Sequence, residues 1–334
     1  MTTTTALWFT APRTAELREE ELRVPGPGEI LVRSICALVS TGSEMNMYRG
    51  EGNLPGIEMI PNSRGTVPFP VSFGYQQVGQ VEQAGPGSRF QVGDRVFCIH
   101  PHHDAFVVAD DFAVRIPDIL EPARAAFAGL FTVALNAAVT TPVVVGDCAA
   151  VSGLGIIGSF MGALARRTAS RLVLIERDAH RRQLAKWIGA DLAVSPEEAR
   201  EAIDELTEGR GVDIFYEVSG APAALQTAID NTAVEGTITA LSWYGTRPAQ
   251  LRLSPEFHLR RHKIVSTGPG MPPAIAPRWS RDRMMAVAFD FLAKNAADEL
   301  LITHRVPFGE APKAFEILDT QLSEAMGVLI EHGG

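Results

Sequence analysis

Seven residues, Ser152-Gly153-Leu154-Gly155-Ile156-Ile157-Gly158, constrain this chain more than any other stretch. They follow the apolar run Cys148-Ala-Ala-Val-Ser and open an Ala-rich helical run, so the glycines stand where a strand must turn into a helix. In that setting Gly153 makes the tight turn, Gly155 lets the backbone approach a pyrophosphate, and Gly158 lets helix and strand pack closely. The helix N-terminus, with Leu154, Ile156 and Ile157 between the glycines, favours negative charge. Glu176 ends the next apolar run, about twenty residues beyond the central glycine, where an acid binds the ribose hydroxyls of an adenosine. Loop and acid together predict a dinucleotide site. A sheet whose glycines only pack, or a methyltransferase with a similar ribose-binding acid, would carry the same pattern. Glu176 repels a 2′-phosphate while Arg177 and Arg181 could neutralise one, so NAD(H) is preferred and NADP(H) stays possible. Both arginines are equally suited to a solvated helix start.

The chain around the loop changes rhythm near residue 120. Before it, short β-prone runs such as Glu29-Ile-Leu-Val-Arg-Ser-Ile-Cys and Ala105-Phe-Val-Val-Ala are separated by turns such as Pro25-Gly-Pro-Gly and Val92-Gly-Asp. After it, apolar runs beginning at Cys148, Arg171, Leu192, Val212 and Thr237 alternate with helical patterns, as in a doubly wound parallel sheet. The remainder carries a helix over Arg281 to Lys294, a strand from Ile302 and a short helix near Ala311 to Leu318. That tail is too small to stand alone and is expected to return to the first domain. The 334 residues suffice for two such domains, and the fold class is α/β.

Composition narrows the partners. Thirty Lys and Arg against 39 Asp and Glu leave a net charge of −9, which disfavours nucleic acid and anionic membrane surfaces. Cys36, Cys98 and Cys148 are too far apart for a disulfide framework or a metal knuckle, which suits a reducing cytosol. The N-terminus lacks the basic and apolar regions of an export signal, and the apolar stretch from Val143 to Ala165 reads as strand, turn and helix. A cytoplasmic protein is expected.

The order of pieces resembles the medium-chain dehydrogenase/reductase superfamily. The resemblance rests on Pro25-Gly-Pro-Gly-Glu-Ile-Leu-Val, Gly74-Tyr-Gln-Gln-Val-Gly-Gln-Val, Val92-Gly-Asp-Arg-Val, the glycine loop, and Leu184-Ala-Lys-Trp-Ile-Gly-Ala-Asp. Thr41-Gly-Ser-Glu with Tyr48-Arg-Gly, and Ser242-Trp-Tyr-Gly with Phe257-His-Leu-Arg-Arg, are similar to a branch related to bacteriochlorophyllide dehydrogenases. The likeness implies a GroES-like β domain over 1–118 and 260–334, a Rossmann domain over 119–259, and assembly as a homodimer or homotetramer. It extends cofactor contact to Thr132, Ser242 and Trp243. It also implies zinc, yet the positions of the catalytic ligands hold Thr41, Tyr75 and Gly129, none of them a usual zinc ligand, and the four cysteines of the structural-zinc lobe are missing. No zinc is expected.

A metal-free enzyme needs another group to handle charge on the substrate oxygen. Tyr75, in the lost histidine's place, can donate a hydrogen bond or simply pack. Ser43 matches the hydroxyl that relays the alcohol proton in metal-dependent relatives, and also suits a turn after Gly42. Glu44 stands where the family has an acid near the metal and needs another cationic partner, such as an arginine. His102 and His103 point to opposite faces of an extended run, so one of them can face the cleft; His102 is the candidate. Met45, Met47, Tyr48, Trp243 and Tyr244 could line an apolar cleft or fill the core, and the basic run Phe257-His-Leu-Arg-Arg-His-Lys could hold an anion or be a solvated turn. These features suggest an oxidoreductase passing hydride between a nicotinamide and a secondary alcohol or ketone of a bulky, mostly apolar small molecule. An enoyl or quinone reductase, or a dinucleotide-binding sensor without turnover, are the alternatives.

Overall fold

The computed structural model describes residues 2–267 and 277–333. It divides into two compact units, Met1–Leu130 with Arg281–Gly334, and Phe131–Ser280.

In the second unit six parallel strands form one sheet, ordered Leu192–Val194, Arg171–Ile175, Cys148–Ser152, Val212–Glu217, Thr232–Ala240, Lys263–Ser266. Numbered along the chain, this is the 3-2-1-4-5-6 order of a doubly wound dinucleotide fold, reversing between Cys148–Ser152 and Val212–Glu217. The first of these strands is buried at every residue, as a parallel strand covered on both faces must be, which explains its unbroken apolar sequence. Helix Ile156–Ala165 follows it, so the apolar stretch from Val143 resolves into a strand, a turn and a helix as expected.

In the first unit a seven-stranded sheet runs Ile302–Pro307, Gly327–Glu331, Glu29–Leu38, Gln77–Ala84, Arg95–Cys98, Ala113–Arg115, with Ala105–Ala109 also paired to Glu29–Leu38. The tail therefore does return: its last strand pairs antiparallel with Glu29–Leu38, placing Leu329 opposite Leu38. A smaller sheet joins the hairpin Thr3–Ala11 and Thr14–Glu21 to Val71–Ser72 and Arg64–Gly65. Neither that hairpin nor the last strand stood out in the sequence. The hairpin's second strand, Thr-Ala-Glu-Leu-Arg-Glu-Glu-Glu, has no buried position, so it carries no apolar alternation to read.

The units part later than the sequence suggested, at 130/131 and 280/281 instead of 118/119 and 259/260. Helix Pro122–Ala125 packs on strand Glu29–Leu38 and helix Arg281–Lys294, and Arg124 Nε lies 2.7 Å from an Asp298 carboxylate oxygen. At the other junction, Lys263–Ser266 hydrogen-bonds alongside Thr232–Ala240 as the sixth parallel strand, starting at the last residue of the basic run, where the sequence showed no strand. One helical stretch among the described residues, Pro122–Thr140, is long and apolar enough to cross a membrane; 56% of that window is buried.

Candidate functional site

The parallel-sheet unit presents the glycine loop at the carboxyl end of strand Cys148–Ser152. Gly153 has φ +93°, and a Cβ there would lie 2.6–2.9 Å from Ser219. A Cβ on Gly158 would come within 1.8 Å of the Gly153 carbonyl oxygen, so only glycine lets the helix sit this close. Gly155 differs from both: a Cβ there would meet nothing within 4 Å, which is the open approach a pyrophosphate needs. Helix Ile156–Ala165 starts at Gly155 without a side-chain cap, leaving first-turn N–H groups of Ile156 and Ile157 for a ligand or solvent.

Leu154 is differently employed. Its N–H donates to Glu176 Oε2 at 2.6 Å, while Asp178 N–H donates to Oε1 at 3.0 Å. The predicted ribose acid thus also fastens the glycine loop to the end of the next strand, and each carboxylate oxygen keeps lone-pair capacity for a hydroxyl. Arg182, which the sequence did not single out among its arginine neighbours, donates to the carbonyls of Glu176 (2.6 Å) and Arg177 (3.0 Å) and so shapes the same turn. Arg177 is exposed and Arg181 half-buried. Ser242 accepts a hydrogen bond from Gly220 N–H at 2.8 Å, with Trp243 half-buried beside it, and Thr132 lies half-buried on helix Ala128–Thr140. Three residues of the basic run are engaged with the neighbouring strand. Arg260 donates to the Thr232 carbonyl at 2.8 Å, His262 Nε2 lies 3.0 Å from the same oxygen, and Arg261 pairs with Glu235.

The β unit gathers the polar candidates. Helix Ser43–Arg49 supplies Ser43 and Glu44, the end of strand Glu29–Leu38 leads to Ser40, and the segment before strand Gln77–Ala84 supplies Tyr75. The three hydroxyls form a triangle: Tyr75 to Ser43 at 2.5 Å, Tyr75 to Ser40 at 2.6 Å, and Ser40 to Ser43 at 3.2 Å. Ser40 was missed in the sequence, since it lies in the loop before helix Ser43–Arg49, where no periodicity marks a shared face. Burial, reinforced by the charge of Glu44, pushes the Tyr75 phenol up to about 12, so it remains a donor at neutral pH.

His102 and Glu44 meet each other and not a cleft. Both side chains are fully buried, with His102 Nε2 2.7 Å from Glu44 Oε2, and Glu44 Oε1 accepts the Ser40 N–H at 3.2 Å. Glu44 finds a histidine where an arginine was expected, and the role left to the pair is to hold Ser40. The neighbouring His103 does point the other way, its Nε2 against Arg64 and its Nδ1 3.2 Å from the Pro101 carbonyl oxygen. Met45, Met47 and Tyr48 are buried in the core, Tyr48 within a Phe9 and Phe315 ring cluster.

The positions implied for zinc do not suit it. Thr41 offers a hydroxyl and Tyr75 a protonated phenol. Gly129 offers no donor, and a Cβ added there would meet the Gln76 amide nitrogen at 2.4 Å. Zinc takes thiolate, imidazole or carboxylate. Among the described residues no group of three or more His, Cys, Asp or Glu is placed to hold a metal ion.

Two family models match this chain: the alcohol dehydrogenase GroES-like domain over 26–114 and the zinc-binding dehydrogenase over 156–279. D-guloside 3-dehydrogenase of Escherichia coli K12 is 28% identical over 336 residues, covering 92% of this chain and 93% of that protein. The 2-desacetyl-2-hydroxyethyl bacteriochlorophyllide A dehydrogenase of Cereibacter sphaeroides is 28% identical over 335 residues, covering 93% of each. A solved alcohol dehydrogenase from Escherichia coli CFT073, described as short-chain and complexed with NADH, shares the fold with a TM-score of 0.79. It is 19% identical, covering 98% of this chain and 99% of that one.

Proposed function

Since this chain belongs to the medium-chain dehydrogenase/reductase superfamily and is an oxidoreductase of the kind that acts on alcohols, we propose that it works without zinc, using NAD(H) in preference to NADP(H). The substrate is a secondary alcohol or its ketone on a bulky, mostly apolar small molecule. The observation that carries this reading is the Tyr75–Ser40–Ser43 hydroxyl triangle, built around Tyr75, one of the three positions that the resemblance implies for zinc.

The nicotinamide, when bound, supplies or accepts the hydride. The open face of Gly155 and the uncapped helix behind it receive the pyrophosphate, and Glu176 receives the adenosine ribose. A carboxylate there opposes a 2′-phosphate, hence the preference for NAD(H). Tyr75 donates its proton to the substrate oxygen as negative charge grows on it, Ser43 and Ser40 steady the phenolate through their hydrogen bonds, and a proton from solvent restores the phenol afterwards. Glu44 steadies Ser40 from behind through its N–H, with His102 holding the carboxylate. The relatives named for a sugar-derived and a tetrapyrrole alcohol support a substrate larger than a simple alkanol.

A phenol that stays protonated can equally donate a hydrogen bond to an enolate oxygen, which supports a second reading: reduction of a conjugated double bond, with Tyr75 serving the enolate. A cytoplasmic homodimer or homotetramer completes the proposal.

Metal-free protein titrated with NAD⁺, NADH, NADP⁺ and NADPH in a thermal-shift assay, with elemental analysis alongside, is the test. A selective rise in Tm with NAD(H) and no stoichiometric zinc is expected, because binding only the folded state stabilises it by mass action. Stoichiometric zinc in the purified protein ends the metal-free reading, and no shift with any nucleotide ends the oxidoreductase mechanism. Alcohol oxidation set against reduction of conjugated alkenes then separates the two reactions.

A further inference from the structure

Glu217 ends strand Val212–Glu217, immediately across the reversal in strand order from the glycine loop, and its side chain is fully buried. One carboxylate oxygen accepts the Ser219 N–H at 2.7 Å and the Ser219 hydroxyl at 2.5 Å, and the other accepts the Tyr244 hydroxyl. Tyr244 lies beyond the end of the next strand, Thr232–Ala240. A second tie runs parallel to the first, from Gly220 N–H to the Ser242 hydroxyl at 2.8 Å. On its other side Ser219 closes on Gly153, where no Cβ would fit, and Val218 N–H reaches the Ser152 carbonyl at 2.9 Å.

A buried carboxylate without a cation is costly unless donors surround it, and here all three donors come from the two loops it joins. Burial and the adjacent Glu217 charge push the Tyr244 phenol up, so it stays a donor. The network therefore does one thing: it clamps the loop after the fifth strand against the loop after the fourth. In a doubly wound sheet each βαβαβ half takes one mononucleotide. The half containing Glu176 takes the adenosine, which leaves the half containing these two loops for the nicotinamide.

We propose that Tyr244 and Glu217 are positioning residues for the nicotinamide half of the dinucleotide, holding Ser242 and Trp243 in register through a phenol–carboxylate tie. This rests on the dinucleotide reading given above, and it assigns to each half of the molecule a separate anchor: Glu176 for adenosine, the Tyr244–Glu217 tie for nicotinamide.

The test compares NADH, or NADPH if only that binds the wild type, with ADP-ribose and 5′-AMP by calorimetry on the full-length chain. Y244F removes one donor and leaves the ring. It is expected to weaken the dinucleotide about tenfold, the range of one hydrogen bond to a charged group, while ADP-ribose and 5′-AMP stay within about twofold. E217Q keeps an oxygen for Ser219 but removes the charged acceptor of the Tyr244 hydroxyl, so it is expected to weaken the dinucleotide in the same sense as Y244F and by no more, with ADP-ribose and 5′-AMP again within about twofold. An equal loss for all three ligands, or no loss in Y244F, overturns the assignment and leaves Tyr244 a packing residue. A wild type that binds ADP-ribose and 5′-AMP but no dinucleotide overturns it too, whereas one that binds none of these ligands fails the dinucleotide reading itself.

Discussion

In the parallel-sheet unit the groups offered to a ligand are mostly backbone: first-turn N–H groups, a bare Gly155, and two loops tied at strand ends. In the β unit they are side chains, Ser40, Ser43 and Tyr75, brought together from a loop, a helix start and a segment more than thirty residues away, and braced by the buried Glu44 and His102. A backbone site is fixed by local spacing and tolerates changes in most of its side chains. A side-chain site depends on sheet register and on the burial of every supporting group. The two units should therefore fail separately, one by losing dinucleotide and the other by losing turnover.

The largest effect expected from that contrast is on turnover in Y75F. The variant keeps the ring and the Ser40–Ser43 contact and removes only the donor. Its kcat/KM, on whichever secondary alcohol or ketone gives turnover, should fall by about 10² or more, the scale of a lost acid–base group. Dinucleotide affinity by calorimetry should hold within about twofold. A parallel loss of both would show that the units are not independent.

This contrast also explains what the sequence disclosed. The glycine loop, Glu176 and the strands Cys148–Ser152 and Leu192–Val194 were legible because each is a local pattern with one physical reading. Lys263–Ser266 was not, since three of its four residues are exposed on the edge of the sheet and three basic or histidine residues precede it. Tyr75 and Ser43 emerged from family resemblance alone; no spacing rule predicts that residues 32 apart share a hydrogen bond. The pairing of His102 with Glu44 was hidden for the same reason. Gln76 was hidden too, because only the fold brings its side chain into the space beside Gly129.

A smaller effect should separate the units on acidification. Burial pushes His100 well below its usual value, lowers His103, and brings His332, stacked on Phe308, to about 4; all three lie in the β unit. In the other unit only His262 among the described residues shows such lowering. These rings are neutral when folded, so below the ordinary value of 6.5 the unfolded chain binds protons that the folded chain refuses. Their contribution is full above pH 6.5 and is lost as pH falls through 4. The Tm should drop by roughly 5 °C between pH 7 and 4.5, and cleavage mapped with a protease active at both values should open the β unit first. First cleavage in Phe131–Ser280 would contradict this assignment of the acid-sensitive groups.

The smallest effect has the opposite sign. Gln76 is fully buried, and neither its amide nitrogen nor its oxygen has a hydrogen-bond partner, while its side chain occupies the space a Cβ on Gly129 would need. Two unsatisfied groups in an apolar setting cost stability, and replacing them with a side chain of similar size is neutral or favourable. Q76L should therefore raise Tm by about 1–2 °C, a gain of up to roughly 1 kcal/mol. Q76E, which puts a charge in the same place without a cation beside it, should lower Tm by more than that. A fall in Q76L would mean that the amide is satisfied in solution, by water held beside Tyr75. The β unit's site would then extend past its hydroxyl triangle to a second polar group, the Gln76 amide.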